Sequence, residues 1–163
     1  MIRKDREVTD FSEIVEMLKN FKHIQLGMSK DNMPYVVPMN FGFEVIDGKV
    51  VIYIHSAGRG MKIDILKENP NVCVQGNTFI KVTASADRSD CTSRYESVTG
   101  FGKAEPIESI EEKQHAAGCL VEQLRIPKEM YDHMLCKAYK GTNFYKIVLD
   151  EITGKKNPVP EGM

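Results

Sequence analysis

The chain has 163 residues, 42% apolar and 28% charged, enough for one packed domain and too apolar for extended disorder. Its 22 Lys and Arg against 23 Asp and Glu give a net charge of −1, which argues against a duplex nucleic-acid binder. The longest charge-free stretches, Asn32–Phe43 and Asn69–Ile80, have 12 residues each and contain proline, too short to span a bilayer.

Met1–Val8 is charged and reads as loosely ordered. No charged start followed by an apolar run and a cleavage site is present, so no secretion signal is expected. Asp10 with Glu13 predicts a capped helix whose inner face is Phe11, Ile14, Val15, Leu18 and Phe21. From His23 the period changes to two, and Ile24, Leu26 and Met28 predict a strand. After a turn at Ser29–Asn32, Tyr35–Glu44 reads as one long strand, with an edge or a bulge at Pro38 because proline cannot donate to a ladder. Asp47-Gly48 is a strong hairpin signal, leading into a strand Val50–Ser56. Gly58-Arg59-Gly60 opens a helix that Pro70 ends.

A strand Val72–Phe79 comes next, then a polar stretch Lys81–Ser93 read as a loop, then a strand Arg94–Glu105 containing Gly100 and Gly102. Ser109 and Glu112 form a second capping box, followed by the stripe Ala117, Leu120, Val121 and Leu124. Pro127 predicts the start of a further helix, with Met130, Met134 and Leu135 inward and Gly141 as its stop. Thr142–Leu149 alternates as a strand, and residues 152–163 read as a basic tail. About six strands, three to four helices and no repeated βαβ unit predict a single domain, mainly β: an antiparallel barrel with peripheral helices. Its core spans about residues 10–150.

Cys73, Cys91, Cys119 and Cys136 are scattered without a C-x-x-C pair, and the four histidines are dispersed, so no zinc spacing appears and no metal ligand is assigned. A cytoplasmic protein with reduced thiols is expected. None of the cysteines has a nearby cation or base that marks it as a nucleophile.

Two segments carry chemistry. Tyr53–Asp64 runs from a strand end through a glycine turn into a helix start, where free backbone N–H groups favour an anion. Ser56, Arg59 and Lys62 surround that point. Cations in a first turn oppose the helix dipole unless an anion is bound, which makes a phosphate site there; the alternative is two solvated surface charges. His55 is either a ligand-contacting imidazole or a brace for the turn. Pro38, Met39, Asn40 and Phe41 form an interrupted apolar strand suited to a flat heteroaromatic ligand, the alternative being a bulged core strand.

Pro34–Phe41, His55–Lys62, Leu66–Cys73 and Tyr95–Glu105 together resemble the pyridoxamine 5′-phosphate oxidase-like flavoproteins. Ser97–Ala104 and Ile152–Lys156 resemble in particular the nitroimidazole-resistance branch. The resemblance implies a Greek-key-like split barrel, a homodimer with FMN (or FAD) at the interface, and a flavin-dependent reductase of nitroaromatic or related small electrophiles fed by NAD(P)H. It implies Lys62 at the phosphate, His55 and Ser56 beside the flavin, Pro38–Phe41 along the ring, and Tyr95 and Ser97 approaching from a second subunit. The family's Ser-Arg pair would fall at Gly60-Met61, where this sequence departs from it. The C-terminal Arg and Trp that recognise pyridoxal phosphate have no counterpart, which disfavours vitamin B6 oxidation. Two further readings stay open: a flavin-storage protein without turnover, and a haem-handling protein on the same fold.

Overall fold

The structure, a computed structural model, describes residues 2–84, 91–127, 130 and 142–160. A short 3-10 turn at Lys4–Arg6 leads into β1 (Glu7–Val8) and α1 (Phe11–Asn20). Then come β2 (Ile24–Lys30), β3 (Met33–Met39), β4 (Gly42–Ile46), β5 (Lys49–Ala57) and α2 (Met61–Glu68). β6 (Asn71–Ala84), β7 (Cys91–Ile107), α3 (Ile110–Leu124) and β8 (Thr142–Asn157) follow. All pairings are antiparallel in the order β3-β2-β6-β7-β8-β5-β4, with β1 added beside β8. The sheet coils around its core but leaves β3 and β4 as unjoined edges, the split barrel expected from the sequence.

Two hairpins set the register. Asp47 (φ 50°) and Gly48 (φ 74°) are both left-handed, as a two-residue turn with positive φ at both positions requires, and Ile46 faces Lys49. Asp31 (φ 50°) and Asn32 (φ 62°) do the same between Lys30 and Met33. Along β5, Val50, Ile52, Ile54 and Ser56 point into the barrel, while Val51, Tyr53 and His55 point to the other face. The inner set joins Ile14, Met17 and Leu18 of α1, which closes one end of the barrel. Each such side chain, fully buried, contributes roughly 1.5–3 kcal/mol. Of the outer set, Val51 and Tyr53 pack under α3 with Ala116, Leu120 and Phe144, while His55 is exposed.

Several expectations change. The stretch Tyr35–Glu44 is two strands: β3 pairs with β2 and β4 pairs with β5, so the chain changes partner at Asn40-Phe41. Pro38 does lie on an edge strand. Within the loop expected at Lys81–Ser93, residues 81–84 and 91–93 are strand, with Lys81 opposite Arg94 and Ala84 opposite Cys91 after a bulge at Ile80; the residues between lie outside the described ones. This arm packs too little on either face to impose an apolar alternation, so its sequence looks like a loop. The basic tail is the end of β8: Ile152–Asn157 pairs with β7, and Glu7 and Val8 of the supposedly loose N-terminus pair with Lys155 and Gly154. Asn157, buried, donates to Thr92 Oγ1 and the Ser93 carbonyl, fixing that end. The described chain thus holds eight strands and three α-helices. The helix expected from Pro127 to Gly141 lies outside the described residues, Pro127 and Met130 apart.

At α1, Asp10 caps by accepting from the Ser12 backbone N–H at 2.9 Å, whereas Glu13 pairs with Lys156 of β8 instead of completing a box. Ser109 caps α3 as expected, accepting from Glu112 N–H at 3.1 Å. The inner stripe of α3 is rotated from the expected one and is Ala116, Leu120 and Gln123. Gln123 donates from Nε2 to the carbonyls of Leu18 (2.9 Å) and Phe21 (2.7 Å), so α3 closes the C-terminus of α1. Gly102 sits at a β7–β8 bulge, where a Cβ would lie 2.2 Å from the Val148 carbonyl oxygen.

Candidate functional site

β5 ends at Ala57 and the chain enters α2 through Gly60, whose φ of 129° only glycine adopts readily. Gly60 is the N-cap residue of α2 and offers no side chain, so the first-turn N–H groups have no side-chain cap. A cleft of about 420 Å³ opens against this turn, lined by Tyr35, His55, Ser56, Arg59, Lys62 and their neighbours. The sequence-expected residues His55, Ser56, Arg59 and Lys62 are therefore together. Tyr35, on β3, is a further lining residue; only the fold could place it there.

Lys62 is half-buried, and burial lowers its pKa from the ordinary lysine value. Among the described residues no carboxylate pairs with it, and its polar contact is the Met39 sulfur at 3.1 Å. Arg59 likewise has no carboxylate partner among the described residues. Ser56 is 8% exposed, and its hydroxyl has no hydrogen-bond partner among the described residues. An unpaired half-buried ammonium, an orphan hydroxyl and an uncapped helix start converge on one point. That donor set fits a phosphate.

His55 lies on the outward face of β5, its ring 5.9 Å from that of Phe144. Burial, and after it the Lys62 charge, lowers its pKa below the usual histidine value, so the neutral ring is favoured. Met39 touches the cleft through its contact with Lys62, while Pro38 and Asn40, its exposed neighbours in the chain, are not among the lining residues. Phe41 is fully buried in the core, stacked near Phe43 at 6.2 Å.

Tyr95 and Ser97 are elsewhere. Ile107 of β7 aligns with Phe144, the cross-strand partner of His55, whereas Tyr95 aligns with Asn157. Twelve residues of strand, about 40 Å along its path, separate the two ends of β7. Lys155 stands 5.7 Å from the Tyr95 ring centroid. Burial would raise the Tyr95 phenol, but Lys155 and Arg6 outweigh it and hold its pKa below the ordinary value.

A larger cavity, about 610 Å³, lies between the end of α2, β7 and the start of α3. Lys67, Lys103 and Lys113 line it together with Glu105 and Glu108, three cations against two carboxylates. A third cluster lies on the outer face under α3. Glu44 Oε1 accepts from Tyr53 Oη at 2.6 Å and meets His115 Nε2 at 2.5 Å. Cys119 Sγ is 3.8 Å from the same imidazole nitrogen. Burial would raise the Glu44 carboxyl, but its bonds to Tyr53 and His115 outweigh that and hold it below the usual range. Burial and the charges of Glu44 and Glu122 push the Cys119 thiol up to about 11, so it is no thiolate nucleophile. Cys73, Cys91 and Cys119 are all unpaired. No described helix is long and apolar enough to cross a membrane.

Residues 10–156 match the sequence profile of the pyridoxamine 5′-phosphate oxidase family. None of the curated protein sequences compared with the chain matches it. Among solved structures, a Bacteroides thetaiotaomicron protein whose name links it to 5-nitroimidazole antibiotic resistance is 29% identical, with a TM-score of 0.76 over 91% of this chain and 85% of that one. An FAD- and haem-binding protein of Mycobacterium smegmatis is 18% identical, with a TM-score of 0.74 over 97% of this chain and 77% of that one. An FAD-binding protein of Mesorhizobium loti is 20% identical, with a TM-score of 0.64 over 93% and 97%. At those two lower identities the likeness is one of fold.

Proposed function

The chain belongs to the pyridoxamine 5′-phosphate oxidase family, and from that premise we propose that it is a flavin-dependent reductase of small nitroaromatic or related electrophiles, taking FMN at the β5–α2 turn and electrons from NAD(P)H. The observation that carries this reading is the anion-ready turn: among the described residues Lys62 has no carboxylate, Ser56 has no hydrogen-bond partner and α2 has no side-chain cap. The similarity to the nitroimidazole-resistance protein supports the substrate class.

A bound flavin supplies the electron-carrying chemistry. The protein binds and orients. Lys62, Arg59 and the first N–H groups of α2 hold the phosphate, with Ser56 donating its hydroxyl. Pro38, Met39 and Asn40 border the adjoining strand. Phe41, being wholly internal, supports that strand from behind and offers no contact surface. His55 faces out at the cleft, kept neutral, and its ring N–H is the donor available to negative charge developing on a substrate. Tyr95 and Ser97 would reach this cleft from a second copy, because within one chain they lie twelve and ten residues of strand away from Ile107, the β7 residue aligned with Phe144 beside His55. The working unit is therefore a homodimer with the flavin at its interface. Three unpaired cysteines support a reducing, cytoplasmic setting.

The test combines a spectrum with kinetics. Purified protein should carry flavin absorbance with FMN identified by mass, and should consume NAD(P)H when a 5-nitroimidazole is supplied. A Soret band in its place would overturn the assignment. His55→Ala should retain the flavin but oxidise more slowly with the nitro compound, by roughly 10²- to 10⁴-fold if the imidazole acts as a general acid. Equal rates at matched flavin occupancy would remove His55 from the reaction.

A further inference from the structure

We propose that Glu44, His115 and Cys119 form a binding site for a divalent ion of the zinc class, outside the flavin cleft and sharing none of its lining residues. The three ligand atoms lie within 4.8 Å of one another. Tetrahedral zinc, with Zn–N and Zn–O of about 2.0–2.1 Å and Zn–S of about 2.3 Å, spaces its ligand atoms about 3.3–3.6 Å apart. The distances 2.5 Å (His115 to Glu44) and 3.8 Å (Cys119 to His115) bracket that spacing. The imidazole that must adjust is on a side chain 56% exposed, free to turn by the fraction of an ångström needed.

The fold builds the cluster deliberately. His115 and Cys119 are four residues apart on α3 and so share one helix face. Glu44 comes from β4, which α3 approaches so closely that a Cβ on Gly42 would lie 2.3 Å from the Cys119 backbone carbon. Gly42 aligns with Tyr53, and the Tyr53 hydroxyl donates to Oε1 of Glu44, the same oxygen that meets His115, fixing the carboxylate as an outer partner orients a metal ligand. One nitrogen, one sulfur and one oxygen suit a borderline ion such as Zn²⁺ better than Mg²⁺ or Ca²⁺, which want oxygen alone. Glu112 and Glu122 add negative charge nearby. Three protein ligands leave a fourth position, and a cleft of about 420 Å³ bordered by Glu44, Cys119 and Glu122 gives water or a small ligand access to it. Binding releases the Cys119 thiol proton to solvent and takes His115 as neutral imidazole, with no change of oxidation state.

The experiment uses the full chain, stripped with a chelator and titrated with Co²⁺, then back-titrated with Zn²⁺. One Co²⁺ per chain is expected, with a sulfur-to-cobalt charge-transfer band that Zn²⁺ abolishes. Cys119→Ser should lose the band, while Cys73→Ser and Cys91→Ser keep it. His115→Ala, on an exposed helix surface, should weaken binding beyond the roughly 10- to 100-fold that loss of an outer partner costs. Circular dichroism checks that each variant is folded. No charge-transfer band in the wild-type chain, a band that survives Cys119→Ser, or unchanged affinity in His115→Ala would each overturn the site. None of these readouts depends on flavin.

Discussion

Lys62 is a half-buried ammonium whose polar contact is a thioether, a poor solvation for a charge. A phosphate beside it would form charge-assisted hydrogen bonds, each worth about 1.5–3 kcal/mol. Lys62→Ala should weaken FMN binding roughly 10- to 150-fold by that figure while leaving riboflavin, which lacks the phosphate, almost unaffected. Flavin fluorescence titrations measure both; equal losses for the two ligands would place Lys62 away from the phosphate. His55 gives a pH signature. Burial and the Lys62 charge lower its pKa in the folded chain, so on acidification the unfolded chain takes up the proton first. The stability present above the ordinary histidine pKa is lost as pH falls from about 7 towards 5. Urea unfolding of the flavin-free wild type should therefore lose stability over that range relative to His55→Gln, and parallel curves would exclude the effect.

At the scale of elements, the joint between α1 and α3 rests on one amide. Gln123 is 7% exposed and its Nε2 serves both the Leu18 and the Phe21 carbonyls at the end of α1. Gln123→Ala strands the Phe21 carbonyl, while that of Leu18 still accepts from the Phe21 N–H, and should destabilise by about 1–3 kcal/mol. A lower urea midpoint with an unchanged slope is the expected result; an unchanged midpoint would mean that water replaces the amide. Polar side chains in such places escape periodicity, which is why the apolar stripe of α3 looks rotated in sequence. Capping is the opposite case. Asp10 and Ser109 act within three residues of themselves, so both helix starts are legible without the fold.

For the whole molecule, the edge strand β3 exposes Met33 (71%) and Val36 (58%), and the β6 arm exposes Phe79 (61%). An unpaired apolar edge of this kind needs cover. With Tyr95 and Ser97 remote from His55 in one chain, we expect sedimentation of the flavin-loaded protein to give twice 18.5 kDa. A monomer at full flavin occupancy would defeat the interface site. Gly100 and Gly102, by contrast, need no partner chain to explain them: the close approaches they permit are to Leu149, Glu151 and Val148 of β8.

Local chemistry alone determined much of this protein. Asp47-Gly48 dictates its hairpin because positive φ is cheap only for such residues. The strand–glycine–helix junction at 53–64 gathers uncapped N–H groups and the cations of Arg59 and Lys62 whatever surrounds them, which is why a phosphate is proposed there. The order of motifs along the chain identified the family and the split barrel. Tertiary structure alone decided the rest. It split Tyr35–Glu44 between two sheet edges, because strand partners are chosen by distant segments and not by the strand's own residues. It made strands of 81–84, 91–93 and 152–157, where cross-strand pairing substitutes for apolar alternation. It also set Glu44 beside His115 and Cys119, 71 and 75 positions away in sequence, because a missing side chain at Gly42 lets α3 press onto β4. Spacing rules read ligands that are close along the chain; a site assembled from a strand and a helix becomes visible only when packing brings them together.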